Sequence, residues 1–163
     1  MPAEASPTHK ETFIGSWAWL FPLTYLVHIA EEYWGGFPKW VARFWGVESS
    51  NENFLIWNGA AWLVMTSCVA LVRMTKSYRW LIVSFGTVVL INGSAHTITS
   101  VVTRSYSPGL VSGLLIWVPL GTITLLRASK QVNRRTYVSG ILVGVLMHGV
   151  VTLLAFGSAL WSG

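Results

Sequence analysis

The residues in this sequence best suited to chemistry lie inside apolar segments. His28, Glu31 and Glu32 follow one another closely at the end of an apolar run that begins near Phe13. Each helical residue advances by about 100°, so Glu31 lies about 60° to one side of His28 and Glu32 about 40° to the other. One imidazole and two carboxylates therefore share a helix face. Ionisable groups in a membrane segment are costly and are by default candidates for a functional site.

Two further histidines lie at a similar depth in other apolar runs. These are His96 and His148, and Asn92 precedes His96 by four residues on the same helix face. Gly140 and Gly144 precede His148 on one line, so we expect them to bring that helix close to a neighbour. The pattern predicts that three imidazoles and the paired carboxylates converge on one pocket.

This set of side chains is typical of a metal site. Neutral imidazoles with one or two carboxylates are normal ligands of Zn²⁺ or Fe²⁺, so we expect a divalent metal cofactor. The expected ligands are His28, His96, His148 and either Glu31 or Glu32. The remaining glutamate would act as a general acid or base, and Asn92 would orient a ligand or polarise the substrate.

Two other interpretations stay open at the level of sequence. The first is a metal-free isomerase, epoxide hydrolase or terpenoid cyclase in which a buried glutamate donates a proton. In that case Trp57, Trp62 and Trp117 are candidates to face a cationic intermediate. The second is a carrier or structural membrane subunit, in which the polar cluster is a hydrogen-bonded clamp.

The composition predicts an integral membrane protein with one domain. Of 163 residues, 53% are hydrophobic and 10% are charged, against ~25% charged in soluble domains. The net charge is +5, but the basic residues lie in short loops, so we expect no nucleic-acid partner. The expected partners are the lipid bilayer and a lipophilic substrate, with a homo-oligomer as one further expectation. The single Cys68 excludes an internal disulfide.

The predicted fold is an all-α polytopic bundle of five transmembrane helices with a short interfacial helix after the first. The predicted spans are 13–34, 53–74, 80–102, 108–126 and 137–160. Each is near the ~20 residues that cross ~30 Å of hydrocarbon. Residues 37–46 carry an apolar stripe at helical spacing, which favours an interfacial helix. Residues 1–12 are predicted to be a flexible cytoplasmic tail outside the single domain, 13–160.

The loop charges predict an orientation. Eight Lys and Arg residues lie on the side of the N-terminus, and three lie on the other side. By the positive-inside rule we expect the N-terminus in the cytoplasm and the C-terminus outside it, in the cell inner membrane.

Two motifs resemble those of a known family. His28-Ile-Ala-Glu31-Glu32 resembles the signature of the HXXEE membrane-protein family, and Asn92-Gly-Ser-Ala-His96 resembles its second motif. Met147-His148-Gly149 is similar to a third, and the similarity extends over residues 13–160. The resemblance implies a small polytopic membrane protein with an enzymatic role, without implying a particular reaction.

Overall fold

The described part of the chain is built from helices. The computed structural model describes residues 13–156, with side chains described for residues 13–153. Within this range no strand forms, and the predicted all-α class is confirmed. The helices are α1 (Leu20–Trp34), α2 (Phe37–Trp45), α3 (Asn51–Thr75), α4 (Arg79–Thr103), α5 (Leu110–Gln131) and α6 (Arg134–Phe156). The predicted tail, 1–12, and positions 157–160 of the predicted domain lie outside the described residues.

Four of these helices, α3 to α6, are long and apolar enough to cross a membrane. The first predicted span is shorter as a helix than the sequence suggested. A 3₁₀ turn at Ser16–Trp19 precedes α1, whose 15 residues extend over ~22 Å. Pro22 lies in the first turn of α1, where its missing N–H leaves no bond within this helix unmade.

Helix α4 is the centre of the bundle, and glycines set its distance from two neighbours. A Cβ added at Gly140 of α6 would lie 2.5 Å from Cβ of Val83, and one at Gly144 would lie 2.6 Å from Cβ of Thr87. Only a residue without a side chain allows this approach, so the expected role of both glycines is confirmed. Helices α4 and α5 approach one another in the same way at Gly86, Gly93, Gly113 and Gly121.

Helix α1 packs against α3. The hydroxyl of Tyr25 donates to Oδ1 of Asn58 at 2.9 Å, and the indole of Trp62 donates to the carbonyl of Pro22 at 3.0 Å. These bonds pair the two helices in an antiparallel arrangement. At the end of the bundle where α1 ends and α3 begins, which we call the site end, all six helices contribute residues to the wall of a cavity of about 490 Å³.

Candidate metal centre

Three side chains from α1 and α4 form a buried cluster at the site end. His28, Glu32 and His96 are 2%, 5% and 6% exposed, and their candidate ligand atoms all lie within 4.8 Å of one another. Oε1 of Glu32 lies 3.3 Å from Nε2 of His96 and 3.7 Å from Nε2 of His28. His28 and Glu32 are one helical turn apart, and α4 adds His96 from the side. We call these three residues the His–Glu–His cluster.

Each imidazole of the cluster forms a hydrogen bond through Nδ1 with a buried serine. Nδ1 of His28 lies 2.8 Å from Oγ of Ser112, and Nδ1 of His96 lies 3.0 Å from Oγ of Ser107. A proton on Nδ1 that is donated to the serine leaves the lone pair on Nε2, on the side of Glu32. Ring orientation by such outer hydrogen bonds is the usual arrangement of metal-ligating histidines.

Both serines belong to one segment, residues 104–112, which comprises the connection after α4 and the first residues of α5 and which we call the support loop. Gly109 lies at its centre with φ +96°, a conformation that L side chains rarely adopt. A Cβ at this position would lie 2.9 Å from Cε1 of His28 and 2.9 Å from Cε1 of His96. Glycine is therefore required both by the backbone conformation and by the space that the two imidazoles occupy.

Glu31 points to the support loop and not to the cluster. Its Oε1 accepts hydrogen bonds from the hydroxyl of Tyr106 at 2.6 Å and from the backbone N–H of Val111 at 2.8 Å. Its Oε2 accepts one from the N–H of Ser112 at 2.7 Å. The carboxylate thus fixes the segment that carries Ser112. The two adjacent glutamates of the motif therefore have different surroundings, Glu32 beside the imidazoles and Glu31 on the loop.

An aromatic ring covers one face of His28. The rings of Trp117 and His28 are stacked, with centroids 3.7 Å apart and planes at 25°. The indole of Trp117 donates to Oγ1 of Thr24 at 3.2 Å, which fixes the position of the ring. Trp117 ends a π-helical turn, Gly113–Trp117, within α5. Such turns are frequent at functional sites.

The side of the cluster that faces the cavity is polar and unsatisfied. Nε2 of His28 and Oδ1 of Asn92 are buried atoms without a hydrogen-bond partner among the described residues. Both residues line the cavity, as does Glu32. Buried polar atoms are normally paired, so an unpaired pair beside a cavity calls for an explanation such as a bound ion or ligand.

The other candidate residues differ in their position relative to the cavity. His148 is half-buried on the α6 wall, outside the group of three that lies within 4.8 Å. Of the three tryptophans, Trp57 and Trp117 line the cavity, whereas Trp62 donates to the carbonyl of Pro22. Glu31, also an expected ligand, is engaged by the support loop.

The residues that sequence reasoning missed are those of the support loop. Ser107, Gly109 and Ser112 contact or closely approach the two imidazoles, and Tyr106 contacts Glu31. The available signal was the turn sequence Ser-Pro-Gly at 107–109 directly after the helix that carries His96. Nothing in the spacing indicates which side chains such a turn contacts.

The fold and the site together define a class of protein: a helical membrane protein with a buried His–Glu–His cluster that borders an apolar cavity. The family described as "Protein of unknown function with HXXEE motif" matches residues 19–124, and the chain belongs to this family. The matched region contains all three residues of the cluster and Asn92, whereas His148 lies beyond it.

One curated relative from Bacillus subtilis (strain 168) is described as the uncharacterized protein YrkK. It is 26% identical to this chain over 138 residues, which cover 79% of the chain and 86% of the relative. No solved structure matches the chain.

Proposed function

We propose that the chain is an intramembrane enzyme that acts on a lipophilic substrate with a divalent metal ion held by His28, Glu32 and His96. The observation that carries this proposal is the convergence of two imidazole Nε2 atoms on one carboxylate oxygen, with both Nδ1 atoms already bonded to serines.

The separations within the cluster favour a shared ion over direct hydrogen bonds. Ligands of a tetrahedral site with bonds of ~2.0–2.2 Å lie about 3.3–3.6 Å from one another. The observed values are 3.3 Å and 3.7 Å. A charge-assisted N–H···O hydrogen bond is shorter, at ~2.7–2.9 Å. A cation would also compensate the cost of burying the carboxylate of Glu32, which is 5% exposed.

The donor set would suit Zn²⁺ or Fe²⁺, and with three protein ligands such an ion would keep a position open for a substrate in the cavity. A metal ion bound there supplies Lewis-acid polarisation of a substrate oxygen. Asn92 lies beside that position with an unpaired Oδ1, so its amide is placed to orient the substrate. His148, on the α6 wall, is a further polar group available to a molecule in the cavity.

The membrane arrangement that goes with this proposal has five crossings. The 3₁₀ turn and α1 together extend over ~30 Å and form the first crossing, parallel to α4. Helix α2 lies at the interface. The connections after α3 and α5, together with the helix turns on either side of them, carry most of the basic residues, so the end opposite the site end faces the cytoplasm, in the cell inner membrane.

The proposal is tested by elemental analysis of protein purified without added metal. We expect wild-type protein to retain zinc or iron, and His96→Ala and Glu32→Gln to lose it. His148→Ala is the matched control and keeps the metal, since it lies outside the group of three. Restoring the metal to stripped protein at ~100 times its Kd should stabilise the fold by ~2.7 kcal/mol. Wild-type protein that binds neither metal and shows no such stabilisation contradicts the proposal.

A metal-free acid–base enzyme is the second candidate. It is favoured by the position of Glu32, a buried carboxyl group that lines the cavity and could exchange a proton with a molecule bound there. In that case chelators leave the thermal stability unchanged, whereas Glu32→Gln changes it. The same two variants and one chelator titration therefore separate the two candidates.

A further inference from the structure

The cavity beside the cluster has a defined shape and lining. On α3 it extends from Asn53 to Met65, a distance of ~18 Å along the helix. Towards the middle of the bundle its wall is apolar, with Met65, Phe85 and Val88. Polar groups of the wall concentrate near the site end, where the cluster and Asn92 lie. The cavity is therefore elongated, with a polar part at one end and an apolar part at the other.

The open side of the cavity faces the bilayer. The large apolar residues that line it and are also strongly exposed belong to α3 and α6, two of the helices long enough to span a membrane. They are Trp57, Val64, Leu146, Val150 and Val151, and their exposed fractions range from 46% to 66%. The lining residues of α1 are buried, as are Pro38 and Val41 of α2 at the site end. A molecule therefore enters sideways between α3 and α6, through a gap with apolar edges.

The charge of the lining restricts the polar end of such a molecule. Among the described lining residues there is no Lys or Arg, and the one carboxylate is that of Glu32. In the metal-free protein, a phosphate or carboxylate headgroup would lose its hydration without gaining a cationic side chain, so a metal ion in the cluster would be its one source of positive charge among the described residues. An uncharged oxygen group needs only hydrogen-bonding partners, which Asn92 and Asn58 offer.

We propose that the cavity binds an uncharged lipid with one oxygen-containing polar group, an alcohol or carbonyl compound, which enters from the bilayer between α3 and α6 with its polar end towards Asn92. This inference rests on the proposed function for the assumption that the cavity holds a substrate. It adds the charge class of that substrate, its orientation and its route.

The test uses the purified full chain in lipid nanodiscs and a pair of photoactivatable probes. One probe is a long-chain alcohol with a diazirine in its chain, and the other is the carboxylic acid of the same length. We expect the alcohol to label cavity-lining peptides of α3 and α6 and to be displaced by unlabelled alcohol. In metal-stripped protein the acid should label the same peptides at least about tenfold less, because no cationic side chain lines the cavity. Equal labelling by both probes overturns the inference, as does labelling confined to surfaces outside the cavity.

Two matched pairs of variants test the entrance. Val64→Trp and Leu146→Trp place a large ring at the two edges, where the side chains are 56% and 66% exposed. Leu63→Trp and Leu142→Trp are the controls, since these residues are 60% and 64% exposed and do not line the cavity. We expect about tenfold weaker labelling for the first pair only. Equal effects in both pairs overturn the entrance between α3 and α6.

Metal analysis of the same samples separates this inference from the proposed function. Metal-containing protein that the alcohol does not label overturns the inference and leaves the metal centre in place. Specific alcohol labelling of protein that binds no metal supports the inference and contradicts the metal-dependent proposal. A thermal unfolding measurement on every variant shows that the comparison is made between folded proteins.

Discussion

The two sides of the imidazole pair are built in opposite ways. On the side of the support loop every Nδ1 has a partner, and the loop itself is fixed by three hydrogen bonds to Glu31. On the side of the cavity, Nε2 of His28 and Oδ1 of Asn92 have none among the described residues. The chain thus satisfies the groups that orient the imidazoles and leaves unsatisfied two buried polar atoms of residues that line the cavity.

This contrast explains why two carboxylates stand side by side in the motif. A charged group in a membrane segment is retained only if it has partners or a function. Glu31 has its partners within the protein, in two backbone N–H groups and one hydroxyl. The carboxylate of Glu32 instead lies 3.3 Å and 3.7 Å from the two imidazoles. Glu31 therefore positions the site, and Glu32 is the glutamate available for chemistry.

The largest loss of stability is expected from Gly109→Ala, on the side of the imidazoles that the support loop contacts. The added Cβ would lie 2.9 Å from both imidazoles at a residue with φ +96°. The combined strain and overpacking should cost about 2–5 kcal/mol and displace both rings. Thermal unfolding and metal content of the purified variant measure both effects.

The control for this variant is Gly149→Ala in α6, where an added Cβ meets nothing within 4 Å. Because alanine has the higher helix propensity, the control should be stabilised by ~0.5–1 kcal/mol. A Gly109→Ala protein that binds metal like the wild type would show that the support loop does not shape the site.

The next effect is expected from Glu31→Gln, which keeps the shape of the side chain but weakens its bonds to the loop. Loss of such an outer partner typically lowers metal affinity ~10–100-fold. Glu32→Gln should instead remove measurable binding, since it changes a ligand. Metal titration of the two variants in parallel checks the division of roles, and the reverse order of effects would refute it.

Asn92→Leu tests the open side and should act in the opposite direction. The substitution removes a buried Oδ1 without a partner and leaves an apolar side chain on the cavity wall. The metal-free protein should be stabilised by ~1 kcal/mol, while activity on the substrate falls. Chemical denaturation of metal-free wild type and variant measures the difference, and a destabilised variant would mean that Asn92 is already satisfied.

The smallest effect is expected from Tyr106→Phe. Burial, together with the hydrogen bond to Glu31 and its charge, raises the pKa of Tyr106 from 10.0 to about 12. Since the folded state favours the protonated phenol, this contribution is complete below pH 10.0 and is lost as the pH rises towards about 12. Near neutral pH the variant should lose ~0.5–1.5 kcal/mol, the usual contribution of one hydrogen bond.

The pH dependence supplies the control for this small effect. Wild-type stability should approach that of Tyr106→Phe as the phenol ionises, so the difference between the two unfolding curves narrows above pH 10.0. A difference that stays constant across that range would show that the tyrosine hydroxyl does not act through Glu31.

The sequence predicted the fold class and the helices that carry the cluster, because apolar length and helical spacing are local properties. His28, Glu32 and His96 could be grouped by depth for the same reason. The partners of Glu31 could not be predicted from the sequence, since Val111 and Ser112 lie 80 and 81 residues further along the chain. His148 was expected inside the cluster but lies outside the group of three, on the α6 wall of the cavity. Gly144 packs tightly on α4, as expected, whereas a Cβ at Gly149, the residue after His148, would meet nothing within 4 Å. The close packing of α6 on a neighbour therefore does not extend to Gly149.

The π-helical turn Gly113–Trp117 has a consequence for how this site tolerates change. Ser112, just before the turn, holds Nδ1 of His28, and Trp117, at its end, covers the ring of the same imidazole. Deleting one residue between them would restore a regular α-helix but would rotate one contact relative to the other by about 100°. Spacing along the backbone is thus itself a component of the site, and insertions or deletions at 113–117 should be more damaging than any single side-chain exchange there.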